Sequence, residues 1–421
     1  MGPPGNSVSD GGEKMLEKRR ILLGVTGGIA AYKAAELTRE LIRRGASVKI
    51  VMTRNATEFI TPLTLQTLSG NPVYLDTFSL TGDWRIGHIS LVDEADLLVI
   101  APATANIIGK IACGIADDLL STTVMAAAVP VLLCPSMNTN MYDSAAVRKN
   151  LEKLRERGTR IMEPDRGGLA CGTEGAGRLP SPADVADEIE SILTPKDLEG
   201  ERVLVTAGPT REPLDPVRYI SNYSSGKMGY ALAAAAAKRG ARVVLVSGPT
   251  ALAVPRGVTA VPVSSAVEMR ERVLEHLEDA TVVIKAAAVA DYRPARLSTS
   301  KIKKSGGGLS LDLERNPDII SEVGRNKGDR VLVGFAMETD DLIPNARKKL
   351  VEKNMDLIVA NDLGQPGSGF QYDTNIVRIL DREGNAEELP MMDKIDVAHR
   401  ILDWIGEIAR RRKAGPGGER T

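Results

Sequence analysis

Aromatic residues are scarce in this chain: 4 Phe, 8 Tyr and 2 Trp among 421 residues, 3% in all. With 43% hydrophobic residues the chain can still build sizeable cores, but they must be aliphatic and alanine-rich. Charge of either sign is not in excess. The formal net charge of -1 argues against a general nucleic-acid surface. Only 3 cysteines occur, none in a CxxC pair, which excludes a disulfide framework and a thiolate zinc site and fits a reducing, cytoplasmic compartment. No run approaches the roughly 20 apolar residues that a membrane span needs. The first residues are Gly-, Pro- and charge-rich, so they read as a loose tail and not as a signal peptide. The closing run RRRKAGPGGERT reads as a frayed basic tail, too short to argue for nucleic-acid binding.

What the chain has in quantity is alternation. Apolar, β-rich runs near 21–25, 48–52, 97–101, 131–134 and 160–162 alternate with helical patterns near 29–44, 105–112, 117–127, 144–157 and 182–193. A second series has strands near 203–206, 242–247, 281–286, 331–335, 357–360 and 376–380, and helices near 226–239, 266–277, 318–323, 341–353 and 394–412. Near-continuous apolar strands between helices predict parallel sheets covered on both faces. The fold class is therefore α/β, with two doubly wound, Rossmann-like, three-layer domains. The seam is TPKDLEGE, where Pro195 discourages continuation of the preceding helix. The expected organisation is a tail (1–18), a first domain (19–194), a linker (195–201), a second domain (202–412) and a basic tail (413–421). The stretch 293–308, with Lys301, Lys303, Lys304 and a Gly triplet, reads as a mobile basic flap or a solvated linker.

Open α/β sheets bind ligands at the carboxyl ends of their strands. In the first half, GVTGGI (24–29) is a strand-to-helix turn in which Gly27 and Gly28 let a phosphate approach the backbone. The GxGxxG spacing is absent, so a mononucleotide is favoured over NAD. APATAN, with Ala103 and Asn106, can line a flat ring, and DDLLSTT adds the hydroxyls of Ser121 and Thr122. In PSMNTNM, Asn138 offers an amide to a carboxylate or serves as an N-cap, while Met137 and Met141 read as packing. Cys113 and Cys134 read as inert core. Cys171 lies in GGLACGTEGAGR, too Gly-rich for a helix or strand interior, and is either a ligand-reaching acid or nucleophile or an ordinary loop thiol. His276 and His399 fall on charged helical patterns and read as surface residues. His88, in a loop before a strand-like run, is a catalytic candidate because an unperturbed imidazole titrates near 6.5, or else a structural loop residue.

The most informative stretch is LVTAGPTREPLDPVRYISNYSSGKMGY (204–230). A strand runs into a polar loop carrying Arg211, Asp215, Arg218, Asn222, Ser224, Ser225, Gly226 and Lys227, and an Ala-rich helix follows. Free backbone N–H groups and the positive helix end point at such a loop, and its basic side chains favour a phosphorylated ligand.

These motifs carry a resemblance. HISL, PSMNTNM and GLACGTEGAGR, in that order, resemble the flavin-containing cysteine decarboxylases, and GGIAAYK and APATAN are similar to the FMN-binding segments of that family. TAGPTRE, DPVRYISN and SSGKMG, extended by KIKK, NPDI and VGFAMET, resemble phosphopantothenate–cysteine ligase. The fused pair is similar to the bifunctional coenzyme A biosynthesis family, phosphopantothenoylcysteine decarboxylase joined to phosphopantothenate–cysteine ligase, over nearly the whole chain outside its tails.

For the amino half the resemblance implies FMN-dependent decarboxylation of 4′-phosphopantothenoylcysteine to 4′-phosphopantetheine. FMN is the electron sink that a simple thiol lacks. Gly27, Gly28, Thr53, Ala103, Asn106, Ser121 and Thr122 would hold the cofactor. His88 would assist the oxidative or decarboxylation step, Asn138 would hold the substrate carboxylate, and Cys171 would protonate the ene-thiol. Ser136 and Tyr142 depart from the family's usual Ala and Trp, a difference that bears on substrate fit and not on the reaction.

For the carboxyl half it implies ligation of cysteine to 4′-phosphopantothenate through an acyl-cytidylate formed from CTP, a choice of base that rests on the resemblance. Asn222 would contact the acyl-nucleotidylate with Arg218 nearby. Ser224, Ser225 and Gly226 would cradle phosphate, and Lys301 would bind the triphosphate. Asp291 would hold Mg²⁺ or nucleotide, or simply form a turn. Ala287 and Ala288 would let a base approach the backbone. Phe335, Lys349, Lys353 and Asn361 complete the nucleotide candidates, although the two lysines equally fit an exposed helix face. The family further implies a homo-oligomer, with trimeric flavin domains, dimeric ligase domains and a dodecamer as candidate assembly. The other readings are a two-domain nicotinamide dehydrogenase, opposed by the missing GxGxxG, and a phosphatase-binding regulator, opposed by Cys171 and an intact ligase half.

Overall fold

The computed structural model describes residues 16–77, 87–168, 172, 174–303, 309–338, 342–362 and 372–414. Two compact units meet in sequence at Thr194, one covering Glu13–Thr194 and the other Pro195–Thr421.

In the first unit the elements run β1 (Arg20–Val25), α1 (Lys33–Arg43), β2 (Ser47–Met52), α2 (Pro62–Ser69), β3 (Val73–Tyr74), α3 (Gly87–Asp93), β4 (Leu97–Ala103), α4 (Ala105–Cys113), α5 (Leu119–Met125), β5 (Val131–Pro135), α6 (Thr139–Tyr142), α7 (Ala145–Glu156), β6 (Arg160–Ile161), β7 (Asp165–Gly168), β8 (Glu174–Arg178) and α8 (Pro182–Leu193). Six strands form one parallel sheet in the order β3-β2-β1-β4-β5-β6. Its central strands are apolar on both faces; all seven residues of β4 are buried. Helices supply the covering faces: Ala34, Leu37, Thr38 and Leu41 of α1 are buried at helical spacing.

Three features differ from expectation here. His88 lies in α3 and not in a loop, because Leu91 and Val92 pack into the core from a helix; an apolar run this short cannot distinguish strand from helix by periodicity. The side chain of His88 lies outside the described residues. Cys113 is exposed at the end of α4, whereas Cys134 is core and its burial pushes its thiol pKa up. The Gly-rich stretch is partly strand. β7 and β8 pair antiparallel from Asp165↔Arg178 to Gly168↔Glu174, where glycine permits the close contact of Gly175 with Thr139. Cys171, between these strands, lies outside the described residues.

The second unit continues with β9 (Arg202–Ala207), β10 (Arg211–Pro213), β11 (Tyr219–Ser221), α9 (Lys227–Lys238), β12 (Arg242–Ser247), β13 (Val258–Pro262), α10 (Ala266–Glu275), β14 (Val282–Lys285), β15 (Tyr292–Pro294), β16 (Leu313–Arg315), α11 (Ile319–Arg325), β17 (Val331–Glu338), α12 (Leu342–Glu352), β18 (Leu357–Asp362), β19 (Thr374–Asp381), β20 (Ala386–Asp393) and α13 (Lys394–Ala414). The main sheet has the order β13-β12-β9-β14-β17-β18-β19-β20. It is parallel from β13 to β18, but β19 and β20 add an antiparallel edge that the expectation of a purely parallel sheet missed. Alternate residues face opposite layers: Val203 and Val205 meet α9 and α13, while Leu204 packs with α10, α11 and α12.

The segment 195–201 belongs to this unit and does not act as a free linker. Leu198 is buried in its core, its N–H donates to the Arg239 carbonyl at 3.1 Å, and Asp197 pairs with Arg239. The described part of the expected flap is also anchored. β15 pairs with β16, and the Ile302 N–H donates to Asp215 Oδ2 at 3.1 Å.

His399 differs from a surface residue. Its Nε2 is buried without a partner among the described residues, and burial, helped by Arg239 and Lys238, pushes its pKa down to about 4 from 6.5. The fold therefore favours the neutral ring. This contribution is full above the unfolded value and is lost as pH falls through the folded one. Denaturant melts of the second unit should lose about 2 kcal/mol between pH 6.5 and roughly pH 5. His399→Gln should flatten that slope, and an equal slope in the variant would show that other groups govern it.

Candidate active site clefts

The first sheet reverses winding between β1 and β4, and a cleft of about 800 Å³ opens at the carboxyl ends of these strands. Each strand hands over its next residues: Thr26, Gly27 and Gly28 after β1, Thr53 and Asn55 after β2, Thr104 and Asn106 near the end of β4, Ser136 and Asn138 after β5. Thr26 is already used, since its hydroxyl donates to the Pro102 carbonyl at 2.7 Å and accepts from the Thr104 N–H at 3.2 Å. That pair ties the two central strand ends together. Gly27 is required by space: a Cβ there would stand 2.4 Å from the Asn55 Cβ and 2.7 Å from the Asn55 carbonyl.

Apolar wall comes from Ile29, Tyr32 and Met141, all exposed. Cations come from Lys33, Arg54 and Arg178. Lys33 donates to the Leu179 carbonyl at 2.7 Å, and burial, then Arg178, lowers its pKa. Thr53 Oγ1 is buried in this wall with no protein partner among the described residues. Ring-sized space, an apolar wall, an orphaned hydroxyl and nearby cations together fit a phosphorylated flavin.

The structure gathers Gly27, Gly28, Thr53, Asn106 and Asn138 in this wall. Asn138 caps α6, its side-chain oxygen accepting from the Asn140 N–H at 2.8 Å. Ala103 is buried in β4 behind it. Ser121 and Thr122 stand apart. Ser121 completes a capping box with Asp118, and the Thr122 hydroxyl donates to the Asp118 carbonyl at 2.8 Å. Tyr142 is buried against Glu163 with Arg148 over its ring, and Ser136 bonds the Gly177 carbonyl at 3.3 Å.

The second cleft, about 110 Å³, lies at the equivalent strand ends and is lined by Ser224, Ser225, Gly226, Ala287, Ala288, Phe335 and Asn361. Gly226 caps α9 with φ 77, the left-handed region where a Cβ is disfavoured. Its N–H donates to Ser224 Oγ at 3.3 Å. Asn375, Lys394 and Met228 also line this cleft and were missed in the sequence. Asn375 donates to Asn361 Oδ1 at 3.2 Å. A sequence signal existed for Lys394: a cation at the first residue of a helix opposes the helix dipole.

The other predicted residues stand outside this wall. Arg218 is locked to buried Asp215 by bonds of 3.0 and 2.6 Å and donates to the Ile302 carbonyl at 2.9 Å, which brings exposed Lys301 beside the same loop. Asn222 is exposed and donates to the Val289 carbonyl at 3.0 Å. Lys353 pairs with Asp318 at 3.1 Å; Lys349 is half-buried on α12. Asp291 is exposed, and its carbonyl accepts from the Asn316 N–H at 2.8 Å. Among the described residues no group of three or more His, Cys, Asp or Glu could hold a metal ion.

Two families divide the sequence as the two units do. The Flavoprotein family matches residues 11–194, and the DNA/pantothenate metabolism flavoprotein C-terminal domain family matches residues 198–408. The coenzyme A biosynthesis bifunctional protein CoaBC of Bacillus subtilis is 50% identical over 401 residues, 94% of this chain and 99% of that protein. The chain belongs to this bifunctional family. Its Escherichia coli K12 member is 47% identical over 395 residues, 93% of this chain and 97% of the other. A crystal structure of the C-terminal domain of a CoaBC protein, 46% identical, covers 51% of this chain and 98% of its own, with a TM-score of 0.45. The family's two-part build matches two clefts in separate units. Among the described residues no helix is long and apolar enough to cross a membrane.

Proposed function

We propose that the second unit ligates cysteine to 4′-phosphopantothenate using CTP and that the first decarboxylates the product, 4′-phosphopantothenoylcysteine, to 4′-phosphopantetheine using FMN. The observation that carries this reading is the pairing of two strand-end clefts with similarity over 94% of the chain to a relative named as a bifunctional coenzyme A biosynthesis protein.

In the first cleft, Gly27, Gly28, Thr53 and Asn106 would hold FMN, whose isoalloxazine supplies the electron sink for loss of CO₂. Lys33, Arg54 and Arg178 neutralise phosphate charge there. Asn138 orients the substrate carboxylate; His88 and Cys171 serve proton transfer.

In the second cleft, Ser224, Ser225 and Gly226 receive phosphate at the start of α9, and Phe335 with Ala287 and Ala288 receives the base. Its volume is below the roughly 300 Å³ of an ordinary ligand pocket, so the triphosphate extends toward Arg218 and Lys301. Those cations and Asn222 stabilise charge as cysteine's amine displaces CMP from the acyl-cytidylate. Asp291, without a carboxylate cluster, suits a Mg²⁺ ion carried in by the nucleotide's phosphates. The chain works in the cytoplasm as a homo-oligomer built from trimeric flavin domains and dimeric ligase domains.

Incubation with phosphopantothenate, cysteine, Mg²⁺ and either CTP or ATP tests the reading by mass spectrometry. The expected products are CMP, pyrophosphate and the decarboxylated thiol. CDP with phosphate would replace the nucleotidyl mechanism by acyl-phosphate chemistry.

A further inference from the structure

Two helices of the second unit begin with a lysine, and both lysines line the second cleft. Lys227 opens α9 and Lys394 opens α13, and the two helices share one core through Leu232, Ala233 and Val397, Ala398. A cation at a helix start opposes the macrodipole and weakens the helix, so local stability accounts for neither residue. A bound anion reverses that sign, because it is attracted by both helix ends and by both ammonium groups. Among the described residues lining the cleft these two lysines meet no carboxylate.

Lys394 is 7% exposed, so its charge is largely withdrawn from water. Its Nζ donates to the Tyr372 carbonyl and its backbone N–H to the Asp373 carbonyl at 2.9 Å, which fixes it against the antiparallel edge. Burial, then Lys227, lowers its pKa, and Asp373 offsets part of that shift. Lys227 pairs with Asp373 at 2.7 Å, but the Asp373 side chain is 84% exposed and does not line the cleft. Such a surface pair is weak, and an incoming dianion can replace it. The Gly226 and Lys227 N–H groups donate to Ser224 Oγ and Ser225 Oγ at 3.3 and 3.5 Å, longer than an ordinary hydrogen bond, so a phosphate oxygen can take both.

Size and position say which phosphate. About 110 Å³ admits one phosphate end group but not a triphosphate, which extends toward Arg218 and Lys301. The acid substrate carries a phosphate of its own, at the end away from its carboxylate. Asn222, assigned above to the acyl group, lies in the same loop as Ser224. Its side chain donates at 3.0 Å to the carbonyl of Val289, which directly follows the wall residues Ala287 and Ala288. Cradle and reacting group therefore bound one continuous surface.

We propose that Lys394, helped by Lys227, is the specificity-determining residue for the acid substrate: the two ammonium groups hold the terminal phosphate of 4′-phosphopantothenate in the cradle and so separate it from unphosphorylated pantothenate. This deepens the ligase reading of the second cleft and rests on it. A phosphate monoester carries close to two negative charges near neutral pH and three acceptor oxygens, which matches two cations and the N–H groups of Gly226 and Lys227.

Ligation by the full chain, read as CMP release with 4′-phosphopantothenate or pantothenate as the acid, tests this. In Lys394→Met the KM for 4′-phosphopantothenate should rise roughly 10–100-fold, the loss expected for a hydrogen bond between charged partners. The kcat/KM for pantothenate and the KM for CTP should not move, so the preference for the phosphorylated acid falls by the same factor. Lys394→Arg, which keeps the charge, should recover part of it. Lys227→Met, which leaves the bond from Lys394 to Tyr372 in place, should act in the same direction, so the outcome does not hang on one variant folding normally. A merely structural role, such as support of Tyr372, would depress both acids alike. Equal losses with the two acids, an unchanged preference in both variants, or a rise in KM confined to CTP would each overturn the inference and leave the ligase function standing. Wild type releasing neither CMP nor AMP with either acid would overturn the function itself.

Discussion

Replacing Gly27 with alanine is expected to yield a protein without flavin colour that still ligates cysteine. The added methyl would sit 2.4 Å from the Asn55 Cβ and 2.7 Å from both the backbone carbon and the oxygen of Asn55. Backbone atoms cannot swing aside as the tip of a long side chain can. Either the turn Arg54–Glu58 moves, or the loop holding Gly27 and Gly28 moves, and both contribute to the wall of the first cleft. The sheet beneath need not change, because β1 ends at Val25 and its buried contacts precede the turn. A displacement of about 1 Å at a site that must align a flat ring against a substrate carboxylate costs on the order of 100-fold in rate. Bound flavin, read from the visible absorbance of the purified chain, should fall at least as sharply as decarboxylation. Release of CMP should be spared, since the second cleft lies in a separate compact unit. A G27A protein with full flavin occupancy and normal release of CO₂ would remove this turn from the cofactor site.

Gly226→Ala should give the reciprocal result. Gly226 holds φ 77, where an L side chain is disfavoured by roughly 1–2 kcal/mol. Space adds to strain: a Cβ would lie 2.8 Å from Thr250 Cγ2 and 3.4 Å from the Gly208 backbone. The cheapest relief is a change of backbone angle at the helix cap, which turns Ser224 and Ser225 away from Ala287 and Phe335. Phosphate then meets misdirected N–H groups. CMP release should drop on the order of 100-fold. Flavin content and decarboxylation of supplied 4′-phosphopantothenoylcysteine should remain at wild-type levels. If the variant formed CMP at the wild-type rate, the start of α9 would not be the phosphate cradle.

The two clefts were legible in the sequence to different degrees. Gly27, Gly28, Ser224, Ser225 and Gly226 stood out because glycine and hydroxyls between a strand and a helix have a local reason to exist. Phe335, within VGFAMET, and Asn361 were named only as candidates that the family resemblance implies, and both line the second cleft. Ser121 was a misleading signal, since its hydroxyl closes the capping box with Asp118 and serves α5 itself. Asn375 left no trace and Lys394 only the oddity of a cation at a helix start, because they enter the cleft from the antiparallel edge and the last helix, far along the chain from the other wall residues. Lys285 was invisible as a buried residue. In a run reading VVIKAAA a lysine looks like the polar end of a strand, and only packing shows it buried.

Local order was therefore the sequence's own decision: which runs became strands, where helices were capped, and that two α/β units follow one another. These follow from side-chain periodicity and backbone preference over a few neighbouring residues. Tertiary structure decided the rest. It turned β19 and β20 antiparallel, drew Leu198 into a core, locked Arg218 onto Asp215, and left the amine of Lys285 and the hydroxyl of Thr53 without partners among the described residues. Pairing direction, burial and hydrogen-bond satisfaction depend on residues distant in the chain, so no local pattern can encode them.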